Sequence, residues 1–310
     1  DLMSLTSILK SSKERDKEFQ SILRKIIPKK NEFKTVSGKT AFTKEYEMLV
    51  PYTLTNPYQA SLVGTAFDYL ARAMIAQVAI GNSEDFFKKI NAENGLKIMK
   101  SFFKKSILSS FKLNYHYKKS IKQFQLFING KNEINELITA ACYLAKLEHI
   151  FRSGLPPMNP KKSLFSNPEE VIKKELEDMC RAFQKRFLVT EIVSQKSKVI
   201  YNPTFGIASL MVGGADGDII IDGVLYDFKS GKALGYSWKE VAQLIGYYFL
   251  NEISVTLNSS EWSDAYKDLK IKKVAIYKAR YGEVEYFDLA NYDRQMVSEI
   301  TNKMILHLKL

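Results

Sequence analysis

Asp218, Asp227 and Lys229 are the residues of this chain whose types and spacing could do chemistry together. They belong to Asp218-Ile-Ile-Ile-Asp-Gly-Val-Leu-Tyr-Asp-Phe-Lys229, in which Asp222-Gly223 signals a two-residue type I′ hairpin turn, because both central positions of that turn need positive φ. With that turn, Ile221 faces Val224, Ile220 faces Leu225, Ile219 faces Tyr226, and Asp218 faces Asp227. Alternation along a strand puts Lys229 on the face of Asp227 and leaves Ile219, Ile221, Val224, Tyr226 and Phe228 on a core face. Two carboxylates directly opposite one another sit about 4.5–5.5 Å apart at Cβ and destabilise the pair. A divalent cation between them removes the repulsion, and a hard cation such as Mg²⁺ takes oxygen ligands together with substrate phosphate. The lysine two residues on would then hold an attacking water or a phosphate oxygen beside the metal. The plainer alternative is a solvated polar face on an edge hairpin, with Asp216 paired to Lys229.

Several elements must position this hairpin. A charged amphipathic helix is expected over 5–27, broken by Pro28-Lys-Lys-Asn31, and a second helix over 56–80 contains Gly64-Thr-Ala-Phe-Asp68. Ser83, followed by Glu84 and Asp85, is a candidate N-cap. From there to about residue 185 the pattern is helical, with breaks at Asn129-Gly130 and over 154–160. The period then changes. A strand or hairpin is expected over 187–200, and 209–212 leads into the Asp218 hairpin. Ser237 caps a helix to about Glu252, strands over 273–279 and 283–289 flank Tyr281-Gly282, and Asn291 or Asp293 opens a last helix. This order implies an α/β fold, a mixed central sheet flanked by helices. The expected division is an N-terminal helical segment (1–55), a first part of the core (56–82), a lysine-rich helical insert (83–186) and the rest of the core with the hairpin (187–310).

The net charge of +12 is unevenly placed. Residues 187–310 hold 14 basic against 15 acidic side chains, so the excess sits in the first 186. Between Phe86 and Lys131, 11 lysines oppose the single acid Glu93. Such a field attracts polyanions with strong salt dependence. Phe102, Phe103, Phe111, Tyr115, Tyr117 and Phe124 are interleaved with those lysines; some would stack on bases, although most aromatic side chains are core. Only Cys142 and Cys180 occur, too few for a disulfide framework, a four-cysteine zinc site or an iron–sulfur cluster, which fits a reducing, cytoplasmic setting. No apolar run approaches the roughly 18 residues of a membrane span, so no membrane association is expected. Asp1-Leu-Met-Ser4 lacks the apolar stretch of a secretory leader, and Met3 reads as a start.

The segment 213–231 resembles the core of the PD-(D/E)xK nuclease superfamily: Asp218 matches its first acidic residue and Asp227-Phe-Lys229 its (D/E)-x-K. Gln243-Leu-Ile-Gly-Tyr247, with Gln and Tyr on one helix face, resembles the Q-x-x-x-Y motif of the RecB-like branch. That resemblance implies that Gln243 lies near the metal or the DNA backbone and that Tyr247 packs behind it or contacts phosphate; the alternative is a local network and a half-buried core tyrosine. The same branch carries G-x-x-x-H, whose histidine ligates the metal. Here Gly64-Thr-Ala-Phe-Asp68 has an aspartate in that place, still an oxygen donor. Glu191, in Val189-Thr-Glu-Ile-Val193, sits on the first expected strand, where related nucleases place an acid. His116, His149 and His307 match no motif. Asp216 would replace Asp218 if the register slipped by two, Asp222 belongs to the turn, and Lys232 is solvated or on phosphate.

The resemblance implies a Mg²⁺-dependent nuclease, Mn²⁺ substituting, with DNA the expected substrate over RNA. Asp218 and Asp227 would hold the metal, joined by Asp68 or Glu191, and Lys229 would orient or activate water. The rivals are a non-cleaving DNA-binding subunit that keeps the nuclease fold, a ribonuclease, and a structural protein whose lysines bind an acidic partner. The chain has no G-x-x-x-x-G-K-[ST] phosphate loop, so a helicase or ATPase would have to be a separate partner.

Overall fold

The Asp222-Gly223 turn closes as its residue types dictate, with φ of +49° and +86°. Ile219, Ile220 and Ile221 pair antiparallel with Tyr226, Leu225 and Val224. The computed structural model describes residues 4–257 and 270–309; Met3, read above as a start, lies outside them.

In chain order the described elements are α1 (Leu5–Ile8), α2 (Glu14–Arg24), β1 (Lys34–Thr35), α3 (Pro57–Val78), α4 (Ala92–Phe102), α5 (Ile107–Ile128), α6 (Ile134–Ser153), α7 (Pro160–Phe165) and α8 (Glu170–Arg186). Then follow β2 (Val199–Tyr201), α9 (Gly206–Met211), β3 (Ile219–Ile221), β4 (Val224–Lys229), α10 (Trp238–Thr256), β5 (Lys273–Lys278), β6 (Glu283–Asp288) and α11 (Arg294–Lys309). The protein is α/β: a six-stranded sheet of order β1-β6-β5-β4-β3-β2 with helices on both faces. Neighbours are antiparallel except β4 and β5, which are parallel and are joined through α10.

Side-chain alternation sorts the sheet into two cores. Ile219, Ile221, Tyr226, Phe228 and Tyr277 face α3 and the helices α4 to α8, sharing one continuous hydrophobic cluster with them. Ile220, Leu225, Val274, Ile276 and Phe287 face α1, α2, α9, α10 and α11. The lysine-rich helices are thus tied to one face of the sheet through a shared core, as where Phe124 of α5 stacks on Phe86, which in turn packs against Tyr201 of β2. Gly95 of α4 fits so tightly against α6 that a Cβ there would stand 1.8 Å from the Leu147 carbonyl oxygen.

Several expectations change. The helix over 5–27 is two helices, α1 and α2, hinged where the Gln20 amide donates to the carbonyls of Ile8 and Ser11. Ser83 is no N-cap: it lies inside a 3₁₀ segment, Ile80–Phe87, and its hydroxyl donates to the Ile80 carbonyl. Over 187–200 only β2 is a strand. Phe187 instead continues the end of α8, its N–H bonding the Phe183 carbonyl and its ring stacking on Phe183 at 4.5 Å. The N–H groups of Ile192 and Val193 return to the Val189 carbonyl, so the β-branched run meets its hydrogen bonds locally. Residues 206–211, on the way into the hairpin, form a short helix, since Ser209 accepts from the Phe205 N–H and donates to the Ala215 carbonyl, which curls the chain. The last helix is capped by Asp293, which accepts from the Met296 N–H.

Candidate active site

The carboxylates collect at the end of the β3–β4 hairpin, where the two helical layers meet. Asp218 precedes β3, and its Oδ2 accepts the Phe228 N–H at 2.7 Å, which fixes it across from Asp227. Burial, then the Asp227 charge, raise the Asp218 pKa from 3.8 to about 7, against the opposing pull of the Phe228 amide, Lys229 and Arg72. Asp227 is buried on β4. Lys229 Nζ lies 2.7 Å from Asp227 Oδ2 as an ion pair. That oxygen makes no aligned hydrogen bond, so its partner is the charge alone. Burial disfavours the charge on Lys229, but Asp227, Asp218 and Glu240 outweigh it and hold its pKa above that of an ordinary lysine.

Helix α3 brings in Asp68. Asn56 caps this helix by accepting from the Gln59 N–H, and Pro57 fills its first turn. Gly64, one turn before Asp68, lies against the loop after Lys229: a Cβ there would come 3.1 Å from Ser230 Oγ. Burial and the Asp218 charge raise the Asp68 pKa well above the usual carboxylate range; Arg72 opposes them, while Glu148 and Asp227 add to them. From the other layer, Gln243 Nε2 donates to Tyr247 Oη at 2.8 Å. Tyr247 stacks on Phe205, and its hydroxyl is raised by burial and by Asp216, Asp227 and Asp218. The Gln–Tyr pair is therefore both a local network and a neighbour of the carboxylates.

Other candidates stand apart from this cluster. Glu191 is exposed in a turn, where it accepts from the adjacent Thr190 hydroxyl, because the strand expected to carry it does not form. Asp216 does not pair with Lys229. Its backbone bridges Thr204, and its Oδ2 takes Asn91 Nδ2 at 3.1 Å and Arg152 Nη2 at 3.3 Å. Asp222 stays in the turn, accepting from the Lys198 N–H. Lys232 packs its ammonium over Tyr52. His149 lies 3.0 Å from Thr65 Oγ1 on α3, His116 packs on Tyr143 and Phe165, and His307 lies 3.5 Å from Glu18.

Sequence reasoning missed a ring of charge around the carboxylates. Arg72, buried, donates Nε to the Asp68 carbonyl and Nη1 to Asn202. Glu148 of α6 is buried between the Tyr69 hydroxyl and Arg152. Glu240 opens α10. Arg72 and Glu240 were within reach of the pattern, being one helical turn from Asp68 and from Gln243; Glu148 and Arg152 arrive only through tertiary packing.

The donor set of Asp68, Asp218 and Asp227 is all oxygen and mutually repulsive, the chemistry that suits a hard divalent cation. Among the described residues, no three acidic, histidine or cysteine side chains already stand in metal-ligating geometry. A cleft of about 660 Å³ lies beside β1, lined by Lys29, Lys30, Lys34, Lys39 and Tyr286 among others, and touches none of these carboxylates. No helix among the described residues is long and apolar enough to cross a membrane. Compared with family models, with curated proteins and with solved structures, the chain matches none.

Proposed function

We propose that the protein is a metal-dependent nuclease that hydrolyses phosphodiester bonds, with DNA as substrate. The observation that carries this reading is the hairpin end itself, where Asp218 faces Asp227 and burial, with the Asp227 charge, raises Asp218 to about 7 while Lys229 remains paired to Asp227. A fold that needed only a hairpin gains nothing from that repulsion. Asp218 and Asp227 would hold Mg²⁺ or Mn²⁺, with Asp68 the third oxygen donor. The chemistry a bound cation would supply is Lewis-acid polarisation of a phosphate oxygen and easier deprotonation of water. Lys229, kept charged by its acidic neighbours, acts as a donor: its ammonium holds a non-bridging phosphate oxygen or the lone pair of the attacking water. Gln243 and Tyr247 fix the floor behind the carboxylates, and Gly64 lets α3 approach Ser230 so that Asp68 and Lys229 keep their places.

A second reading, a DNA-binding protein that keeps such a site without cutting, is favoured by Arg72, a built-in cation whose charge already offsets Asp68 and Asp218. A cleavage panel separates the two. Linear, circular and single-stranded DNA and RNA are incubated with Mg²⁺ or Mn²⁺ beside Asp227→Ala and Lys229→Ala. The nuclease reading expects metal-dependent cleavage of DNA that Asp227→Ala abolishes and Lys229→Ala strongly lowers; wild-type rates of cleavage in both variants would overturn it.

A further inference from the structure

Aromatic residues interleave the lysine run, and the fold divides them. Phe103 and Phe124 are buried and Tyr117 is half-buried, whereas Phe102, Phe111 and Tyr115 are exposed at 55%, 70% and 54%. On α5 the division has a period. Phe111, Tyr115, Lys118 and Lys122 follow one another by three or four residues and, with Lys119 beside them, face solvent, while Leu113, Ser120 and Phe124 on the opposite side pack inward. The outer stripe thus passes from planar rings to ammonium groups along about 16 Å of helix, at 1.5 Å per residue. Ile107 and Leu108, 88% and 79% exposed, extend its apolar end. A run of large apolar side chains left in water beside lysines marks an interaction surface.

We propose that this outer face of α5 is a binding platform for an unpaired nucleic-acid strand, whose bases stack on Phe111 and Tyr115 while its phosphates lie along Lys118, Lys119 and Lys122. The proposal rests on the nuclease reading for its connection to catalysis and deepens it to a substrate class. Three observations select this occupant. The surface joins π-faces to a line of cations, the combination that single strands use. A duplex hides the faces of its bases, so it would engage the lysines and leave Phe111 and Tyr115 unused. A second copy of this chain would bring its own lysines against these.

The location agrees. Helices α5 and α6 form an antiparallel hairpin in which Tyr143 Oη reaches the Leu113 carbonyl at 3.1 Å. The start of α5 therefore lies beside the last turns of α6, the turns that carry Glu148, whose charge acts on Asp68, and Arg152, which pairs with Glu148 and feels the Asp218 charge. A strand lying on the platform leads toward Arg152, half exposed and 3.3 Å from Asp216.

The test measures binding of the full chain, metal-free in EDTA so that nothing is cut, to a labelled 20-nucleotide oligo-dT and to a 20-base-pair duplex at equal salt. Oligo-dT is expected to bind at least tenfold more tightly. Phe111→Ala/Tyr115→Ala is expected to lose about tenfold or more on oligo-dT, the scale of base–aromatic stacking, and little on duplex. Lys118→Ala/Lys122→Ala is expected to weaken both and to flatten the salt dependence. These side chains are exposed, so the variants should keep the wild-type melting curve. Equal affinity for both DNAs, or full oligo-dT affinity in the aromatic variant, overturns the proposal. So does co-flotation with anionic phosphatidylglycerol vesicles in place of DNA binding. A wild type that binds oligo-dT as described yet never cuts with Mg²⁺ or Mn²⁺ defeats the nuclease reading and leaves the platform standing; cleavage with an unused platform does the reverse.

Discussion

Asp218→Asn should stabilise the metal-free protein while destroying its response to metal. The substitution removes a charge and keeps the shape: the amide oxygen of asparagine can still accept the Phe228 N–H, which reaches Oδ2 at 2.7 Å in the wild type. In the folded wild type the carboxyl ionises near 7, whereas in the unfolded chain it ionises near 3.8. Between those values the folded state holds a proton that the unfolded state has lost, so wild-type stability falls as pH rises from about 4 to 7 and is flat above. At 1.36 kcal/mol per pH unit the ceiling is about 4 kcal/mol. Asp218 keeps some solvent contact, and halving for screening leaves about 2 kcal/mol at pH 8 and under about 1 kcal/mol at pH 5. Urea unfolding in EDTA, followed by tryptophan fluorescence at both pH values, reads the gap directly. Adding Mg²⁺ or Mn²⁺ at pH 8 should then stabilise the wild type by mass action and leave the variant unmoved. A variant no more stable than the wild type at pH 8, or a gap that does not change with pH, would refute the claim that burial and the facing Asp227 charge disfavour the Asp218 carboxylate.

Lys229→Ala should lower the initial rate of metal-dependent DNA cleavage by about 100-fold or more, the scale of a lost proton or hydrogen-bond donor in the transition state. At limiting Mg²⁺ the wild-type rate should rise through pH 7 as Asp218 ionises and hold through pH 9, because its acidic neighbours keep Lys229 charged; a decline between pH 8 and 9 would mean that the lysine loses its proton there. Gly64→Val should cost about 1–3 kcal/mol in chemical unfolding by driving a side chain into Ser230, and Ser230→Gly should recover part of it in a double-mutant cycle. Arg280→Met should cost about 3–5 kcal/mol by stranding the buried Glu175 that it pairs with, and adding Glu175→Gln should restore much of the loss.

The parts of this molecule that were legible in the sequence are those governed by neighbours in the chain. Asp222-Gly223 needs positive φ whatever surrounds it, so the turn, the register and the opposition of Asp218 to Asp227 all followed. The spacing of Gly64 and Asp68 placed both on one face of α3, and Gln243 and Tyr247 on one face of α10. The errors arose where local hydrogen bonding competed with β propensity. The run from Val189 to Val193 is β-branched enough for a strand, yet its N–H groups close onto Val189, and Glu191 is carried away from the hairpin. Charges contributed from distant helices had no signature: nothing near Arg152 or Glu148 in the chain marks them as facing Asp216 and Tyr69.

The helices between residues 83 and 186 share their hydrophobic interior with one face of the sheet, and this bears on how the gene could be cut or recombined. A module that can be exchanged between proteins brings a core of its own. Here Phe183 and Phe187 pack on Phe228 and Tyr277, so excising the helices would leave a bare, aromatic strand surface in water. Arg280 tightens the dependence by joining the Ser230 carbonyl, the Pro51 carbonyl and Glu175 in a single buried guanidinium. Truncations designed to isolate a minimal catalytic piece should therefore aggregate, and transplanting the lysine-rich helices would require moving half of the sheet's lining with them.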